Sequence, residues 1–131
     1  MPACHNILLI EDNINDKILF IEALKKINVF IKYTVAFNAN DAINKLRIIK
    51  HLPDLIFLDI NMPDMNDAGF LNYIKVEKLF IQIPVIILST STNIAEKVFK
   101  SGADGYLIKP VSVNKLQAKI EQVLKLVKEI I

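Results

Sequence analysis

Glu11 and Asp12 directly follow the apolar run Ile7-Leu8-Leu9-Ile10, and Asp59 ends Leu55-Ile56-Phe57-Leu58. Ser89 ends Val85-Ile86-Ile87-Leu88, and Lys109 follows Tyr106-Leu107-Ile108. Each of these residues therefore stands at the tip of a short apolar segment, where a folded chain could gather all of them. Three carboxylates gathered without compensation repel one another and raise one another's pKa, so the set makes sense around a bound cation. An all-oxygen ligand set with free positions suits Mg²⁺, which keeps several waters and shares oxygens with a phosphate. Lys109 offers such a phosphate a compact positive charge, and the Ser89 hydroxyl offers it a hydrogen bond. A carboxylate beside a cation and an ammonium can attack phosphorus and form an acyl phosphate, and Asp59 is the residue assigned that role.

The apolar runs are too short for helices and read as strands buried on both faces. Tyr33 to Phe37, β-branched and aromatic, reads as a further strand, and Gly105 to Ile108 as the last. Between them the apolar period becomes helical. Phe20, Ala23, Leu24 and Ile27 share one face of a helix expected from about Asn15 to Asn28, and Ile14, Ile18 and Ile21 form a second stripe a third of a turn away. Asn38 or Asn40 is expected to cap a helix over Asp41 to Lys50, with Ala42, Leu46 and Ile49 inward. Asn61 to Asp67, where Pro, Asp and Asn recur, reads as a loop, and helices follow over Gly69 to Leu79 and Ile94 to Lys100. Gly102 suits a left-handed helix end. The last helix, Val113 to Glu129, carries Leu116, Ile120, Val123, Leu124, Val127 and Ile130 opposite Lys119, Glu121, Lys125 and Lys128.

Strands and helices thus alternate five times, which implies an α/β fold: a five-stranded parallel sheet with helices on both faces. Right-handed crossovers favour the doubly wound, flavodoxin-like strand order 2-1-3-4-5. In that order the tips of strands 1, 3, 4 and 5 meet at one crevice.

At 131 residues, a single domain over 1–131 is expected, with no effector domain. With 53% hydrophobic residues and only 3 Gly and 5 Pro, disordered and low-complexity classes are excluded. No apolar stretch is long enough to span a membrane, and residues 1–6 lack the pattern of a secretory leader, so a cytoplasmic location is expected. One Cys leaves no internal disulfide. The 16 basic and 14 acidic residues are intermixed, without a basic patch or reading helix, so nucleic-acid binding is not expected. His5 and His51 have no partners at ligand spacing.

Four segments in this order and spacing resemble the receiver domain of two-component response regulators: Ile7 to Asn13, Asp54 to Pro63, Pro84 to Ser89, and Gly102 to Pro110. The resemblance implies that Asp59 accepts phosphate from a phosphohistidine on a sensor histidine kinase or histidine phosphotransfer protein. It implies that Glu11 and Asp12 hold Mg²⁺, Asp12 more directly, with Asp59 and the backbone carbonyl of Asn61. Ser89 matches the switch hydroxyl, Lys109 the phosphate-pairing lysine, Tyr106 the aromatic that follows the switch, and Pro110 a proline held in a cis peptide. Two positions depart from the family pattern. Asp67 replaces a usual Gly, and Thr90 stands where a smaller Ala is usual, beside the phosphate pocket.

An Asp-x-Asp phosphatase is the enzymatic rival, but Asn61 cannot protonate a leaving group. A flavin-binding module would place Glu11 and Asp12 against the phosphate it must cradle. A phosphorylation-independent interaction module is the remaining alternative. With phosphorylation, the expected output is a change in binding to another protein, or homodimerisation, through the fourth helix, fifth strand and fifth helix. The stripe of Ile14, Ile18 and Ile21 is the expected docking surface for the phosphohistidine donor.

Overall fold

The computed structural model describes the backbone of residues 4–27, 30–60, 65–110 and 112–130, and within these all side chains except those of 4, 65–68 and 127–130. The described elements alternate as β1 (Cys4–Ile10), α1 (Ile14–Lys25), β2 (Phe30–Ala36), α2 (Ala39–Ile48), β3 (Leu55–Asp59), α3 (Met65–Val76), β4 (Val85–Ser89), α4 (Thr92–Phe99), β5 (Gly105–Ile108) and α5 (Val113–Ile130). All strand pairs are parallel, in the order β2-β1-β3-β4-β5. This is the flavodoxin-like α/β arrangement expected from the alternation.

Successive residues of a strand point to opposite faces, and the central strands are apolar on both. Leu8, Ile10, Ile56, Leu58, Val85 and Ile87 pack with Ala42 and Leu46 of α2, Phe70 and Ile74 of α3, and Val98 of α4. Ile7, Leu9, Leu55, Phe57, Ile86 and Leu88 pack on the other face with Phe20, Ala23 and Leu24 of α1 and Leu116, Ile120 and Leu124 of α5. There the rings of Phe20 and Phe57 meet edge to face, 4.9 Å between centroids.

Local chemistry sets the element ends. Asn13 caps α1 by accepting from Asp16 N at 3.0 Å, and Asn38, one of the two residues expected, caps α2 by accepting from Asp41 N at 2.8 Å. Gly102 ends the turn after α4 at φ +119°, a conformation that favours glycine. Several element ends differ from expectation by a few residues, the starts of β2 and α3 among them. β2 begins at Phe30 rather than Tyr33, because this edge strand is largely exposed and its first residues follow no apolar run. α3 begins at Met65, inside the segment expected to be a loop, since Asn and Asp are also accommodated in a first helical turn.

The Lys109–Pro110 link, expected to be cis, is not: no cis peptide bond occurs among the described residues. Even before proline the trans form is favoured by about 0.5–1 kcal/mol, and here it still lets Lys109 N donate to Ser89 O at 2.8 Å. The expected positions of Asn61 and the loop residues to 64 lie outside the described residues, as does the side chain of Asp67. No helix among the described residues is long and apolar enough to cross a membrane.

Candidate functional site

The site is built by strand parity. Ile7 and Leu9 of β1 face α1 and α5, so the next residue of the same parity, Glu11, does too; Leu55 and Phe57 lead likewise to Asp59, and Leu107 to Lys109. The ladder runs one residue past two of these strands. Glu11 N donates to Ala36 O at 2.9 Å, and Lys109 N to Ser89 O at 2.8 Å. The three side chains therefore leave the sheet on one face, just where the first turn of α1 begins. That turn adds Asp16, the third residue of the helix.

Lys109 lies at the centre of the group. Its Nζ is 3.2 Å from Glu11 Oε1 and 2.9 Å from Asp16 Oδ2, and it pairs with Asp59 Oδ1. One carboxylate oxygen from each of Glu11, Asp16 and Asp59 lies within 4.8 Å of the others. The Glu11 and Asp59 side chains are only 1% and 2% exposed, whereas Asp16 is 36% exposed. Asp59 Oδ1 is buried and has no hydrogen-bond partner among the described residues; the Lys109 ammonium lies against it.

Burial, followed by the hydrogen bond and charge of Asp59, pushes the Glu11 carboxyl up to about 8; Lys109 and the Asn13 amide pull the other way. Burial disfavours the ammonium of Lys109, but Asp59, Asp16 and Glu11 together outweigh it and hold its pKa above the ordinary lysine value. Near neutral pH Lys109 thus keeps its ammonium beside a largely protonated Glu11.

Four expected residues stand apart: Asp12, Ser89, Thr90 and Tyr106. Asp12, expected to be the more direct metal ligand, is exposed and is not in the convergent group. It lies two residues beyond the end of β1, in the segment that leads into α1. Ser89 shares the parity of Val85 and Ile87 and is fully buried. Its hydroxyl donates to Ser91 O at 2.9 Å and accepts from Ser91 N at 3.0 Å, so it is engaged in the loop before α4. Thr90 is exposed. Tyr106 is 40% exposed and its ring meets Phe99 of α4 edge-on at 5.9 Å. On α1, Ile14 and Ile18 are exposed, 65% and 48%, while Ile21 is half-buried.

Asp16 is the site residue that sequence reasoning missed.

A family model described as response regulator receiver domain matches residues 7–121. The cell cycle transcriptional regulator CtrA of Caulobacter vibrioides is 36% identical over 121 residues, covering 91% of this chain and 50% of that protein. The chain spans about half the length of several curated relatives it matches. Among solved structures, the phosphorylated cyanobacterial phytochrome response regulator RcpA superposes with a TM-score of 0.78 at 29% identity, covering 92% of this chain and 91% of that one. The Mn²⁺-bound form of response regulator Rcp1 gives a TM-score of 0.74 at 25% identity, covering 91% of each chain. The match over most of the length, on a fold with this strand order and this aspartate, makes the chain a member of the response regulator receiver domain family, the phospho-accepting signalling unit of two-component systems.

Proposed function

We propose that Asp59 accepts a phosphoryl group from the phosphohistidine of a sensor histidine kinase or histidine phosphotransfer protein, in a Mg²⁺-dependent reaction in the cytoplasm, and that the modified domain changes its binding to another protein. The observation that carries this is Asp59 itself: a buried carboxylate oxygen without a hydrogen bond among the described residues, held against an ammonium at the tip of a central strand. An acceptor so placed has lone pairs to offer and a positive charge ready for the product.

The oxygen set fits a hard divalent cation, because carboxylate oxygens of Glu11 and Asp59 lie within 4.8 Å of each other and Asp59 Oδ1 has no hydrogen-bond donor among the described residues. Glu11 and Asp59 would hold it, with Asp12 and the Asn61 carbonyl contributing as the family resemblance implies. The Mn²⁺-bound form of Rcp1 supports a divalent ion in this fold. When bound, Mg²⁺ neutralises the carboxylates and draws off charge from the phosphoryl oxygens.

A carboxylate oxygen of Asp59 attacks phosphorus, the P–N bond to the donor imidazole breaks, and its electron pair remains on the imidazole nitrogen. Lys109 then pairs with a phosphoryl oxygen. For Ser89 to do the same it must give up Ser91, and Ser91 is the N-cap of α4, accepting from Ile94 N at 3.4 Å. Phosphorylation would thereby reach α4 and the Phe99–Tyr106 contact, and so the face formed by α4, β5 and α5. That face is the proposed output or homodimer surface.

Intact mass after incubation with Mg²⁺ and a small acyl phosphate tests the reading. One phosphoryl mass should appear on the wild type and none on Asp59→Asn. A wild type that gains nothing would leave a phosphorylation-independent interaction module, and multiple turnover of phosphomonoesters would point instead to a phosphatase.

A further inference from the structure

Lys109 has three N–H donors, and three carboxylates already surround them. For the ammonium to pair with a phosphoryl oxygen on Asp59, at least one of these contacts has to yield. The three differ in what yielding costs. Glu11 is buried, so a carboxylate or carboxyl abandoned there stays dry. Asp59 carries the incoming group. Asp16 is different: its side chain is 36% exposed, so water can replace the lysine. It is also fixed in place, because its backbone amide donates to the Asn13 cap at 3.0 Å and the first turn of α1 holds the carboxylate over the strand tips.

We propose that Asp16 is a positioning residue that holds Lys109 in the unphosphorylated protein and releases it when Asp59 carries a phosphoryl group, so that this one contact sets the balance between the two states. The inference rests on the phosphoryl-acceptor reading of Asp59. It goes beyond that reading in giving a role to a residue of α1 that touches neither the acceptor's bond to phosphorus nor the switch hydroxyl. Asp16 stabilises only the unphosphorylated arrangement, and a group that favours one state over another shifts the equilibrium by its differential interaction alone. Removing it should therefore favour the phosphorylated form.

The test uses the whole chain, with beryllofluoride and Mg²⁺ as a stable phosphoryl mimic and with ¹³C NMR of the Lys109 ε-methylene as a report on the ammonium's surroundings. In the wild type the mimic should bind and move the Lys109 signal. Asp16→Asn should bind the mimic about threefold to tenfold more tightly, as expected for release of a half-exposed charge-assisted contact. Its Lys109 signal before any mimic is added should already be displaced from the wild-type position, and Asp16→Glu, which keeps the carboxylate, should restore both. If Asp16→Asn tightens the mimic while the Lys109 signal stays put, the effect is removal of a negative charge near an anion, and the proposal is overturned. It is equally overturned if Asp16→Asn leaves affinity for the mimic unchanged, or weakens it together with affinity for Mg²⁺ alone, since Asp16 would then serve the metal. A wild type that binds no mimic would sink the acceptor reading and this inference together, whereas failure confined to Asp16→Asn leaves that reading standing.

Discussion

The two ends of the sheet both carry carboxylates, and they use them differently. At the end where the strands begin, Asp54 Oδ2 accepts from Asn6 N at 2.8 Å, while Asp54 N donates to Asn6 O at 2.7 Å. Asp104 Oδ2 accepts from Val85 N at 2.8 Å and from Lys75 Nζ at 2.7 Å. These aspartates replace missing ladder partners at the starts of β1 and β4, and backbone amides satisfy them. At the end where the strands finish, Glu11, Asp16 and Asp59 face one another across a single lysine, and one oxygen of Asp59 has no hydrogen bond among the described residues. Carboxylates of the first kind hold the sheet together. Those of the second kind cost stability and keep lone pairs available for a cation or for phosphorus.

Paired substitutions offer the sharpest way to break this contrast. Asp59→Asn should abolish phosphoryl uptake and leave the melting temperature at or above that of the wild type. Lys109 keeps Glu11 and Asp16 as partners, and Glu11 is relieved of the hydrogen bond and charge of Asp59, leaving burial as the one cause that raises it. Asp104→Ala should do the reverse. It strands the amide of fully buried Val85 and should lower stability by about 1–3 kcal/mol, while phosphoryl uptake from a small donor persists. Urea denaturation and intact mass on both variants would check this. A destabilised Asp59→Asn with an unaffected Asp104→Ala would invert the comparison.

The pH dependence of stability should carry the same signature, at smaller amplitude. Glu11 has an ordinary value of 4.5 and is pushed up to about 8 in the fold, so between these values the native state binds more protons than the unfolded chain. Its contribution is fully present below about 4.5, declines as pH rises, and is gone above about 8. Without metal, wild-type stability should fall across this window, and Glu11→Gln should flatten the fall. Mg²⁺ affinity should rise over the same window, because the proton and the cation compete for the carboxyl. Thermal melts and Mg²⁺ titrations between pH 5 and 9 decide it: a wild-type profile no steeper than that of Glu11→Gln removes Glu11 from the strained set.

Much of this contrast was legible in the chain before folding, because period-two alternation carries more information than the apolar runs alone. The runs ending in Ile10, Leu58, Leu88 and Ile108 located four of the five strands, and the alternation with helices pointed to their order. Parity would have gone further. It places Glu11, Asp59 and Lys109 in line with the residues that face α1 and α5, and Ser89 in line with those that face α2, α3 and α4. The strand tips alone could not separate Asp12, which is exposed, from the buried Glu11 beside it. Asp16 escaped for another reason. Its place depends on how α1 docks over β1 and β3, a tertiary relation set by packing contacts such as Phe20 on Phe57 rather than by the spacing of Asp16 from its neighbours. β2 escaped in part because an edge strand with exposed Phe30 and Tyr33 has no buried run to announce it.

The smallest effect expected concerns the rim of the reactive end rather than its charges. Ile14 is 65% exposed and Ile18 48%, one turn apart on α1, and Asp16 of the same turn reaches Lys109. Two large apolar side chains left in water beside a polar pocket are the arrangement expected where a helical phosphohistidine donor docks while its imidazole reaches Asp59. At the opposite end of the sheet, Asp54 and Asp104 serve the backbone and call for no such partner. Ile18→Lys should therefore slow phosphotransfer from a kinase by several-fold, on the order of the 1–2 kcal/mol gained by burying one such side chain. Phosphorylation by a small acyl phosphate should keep its wild-type rate, since that donor needs no docking face. Equal slowing with both donors would mean that Ile18 supports the fold of α1 and not the approach of a partner, and unchanged rates with both would move the docking surface elsewhere on the domain.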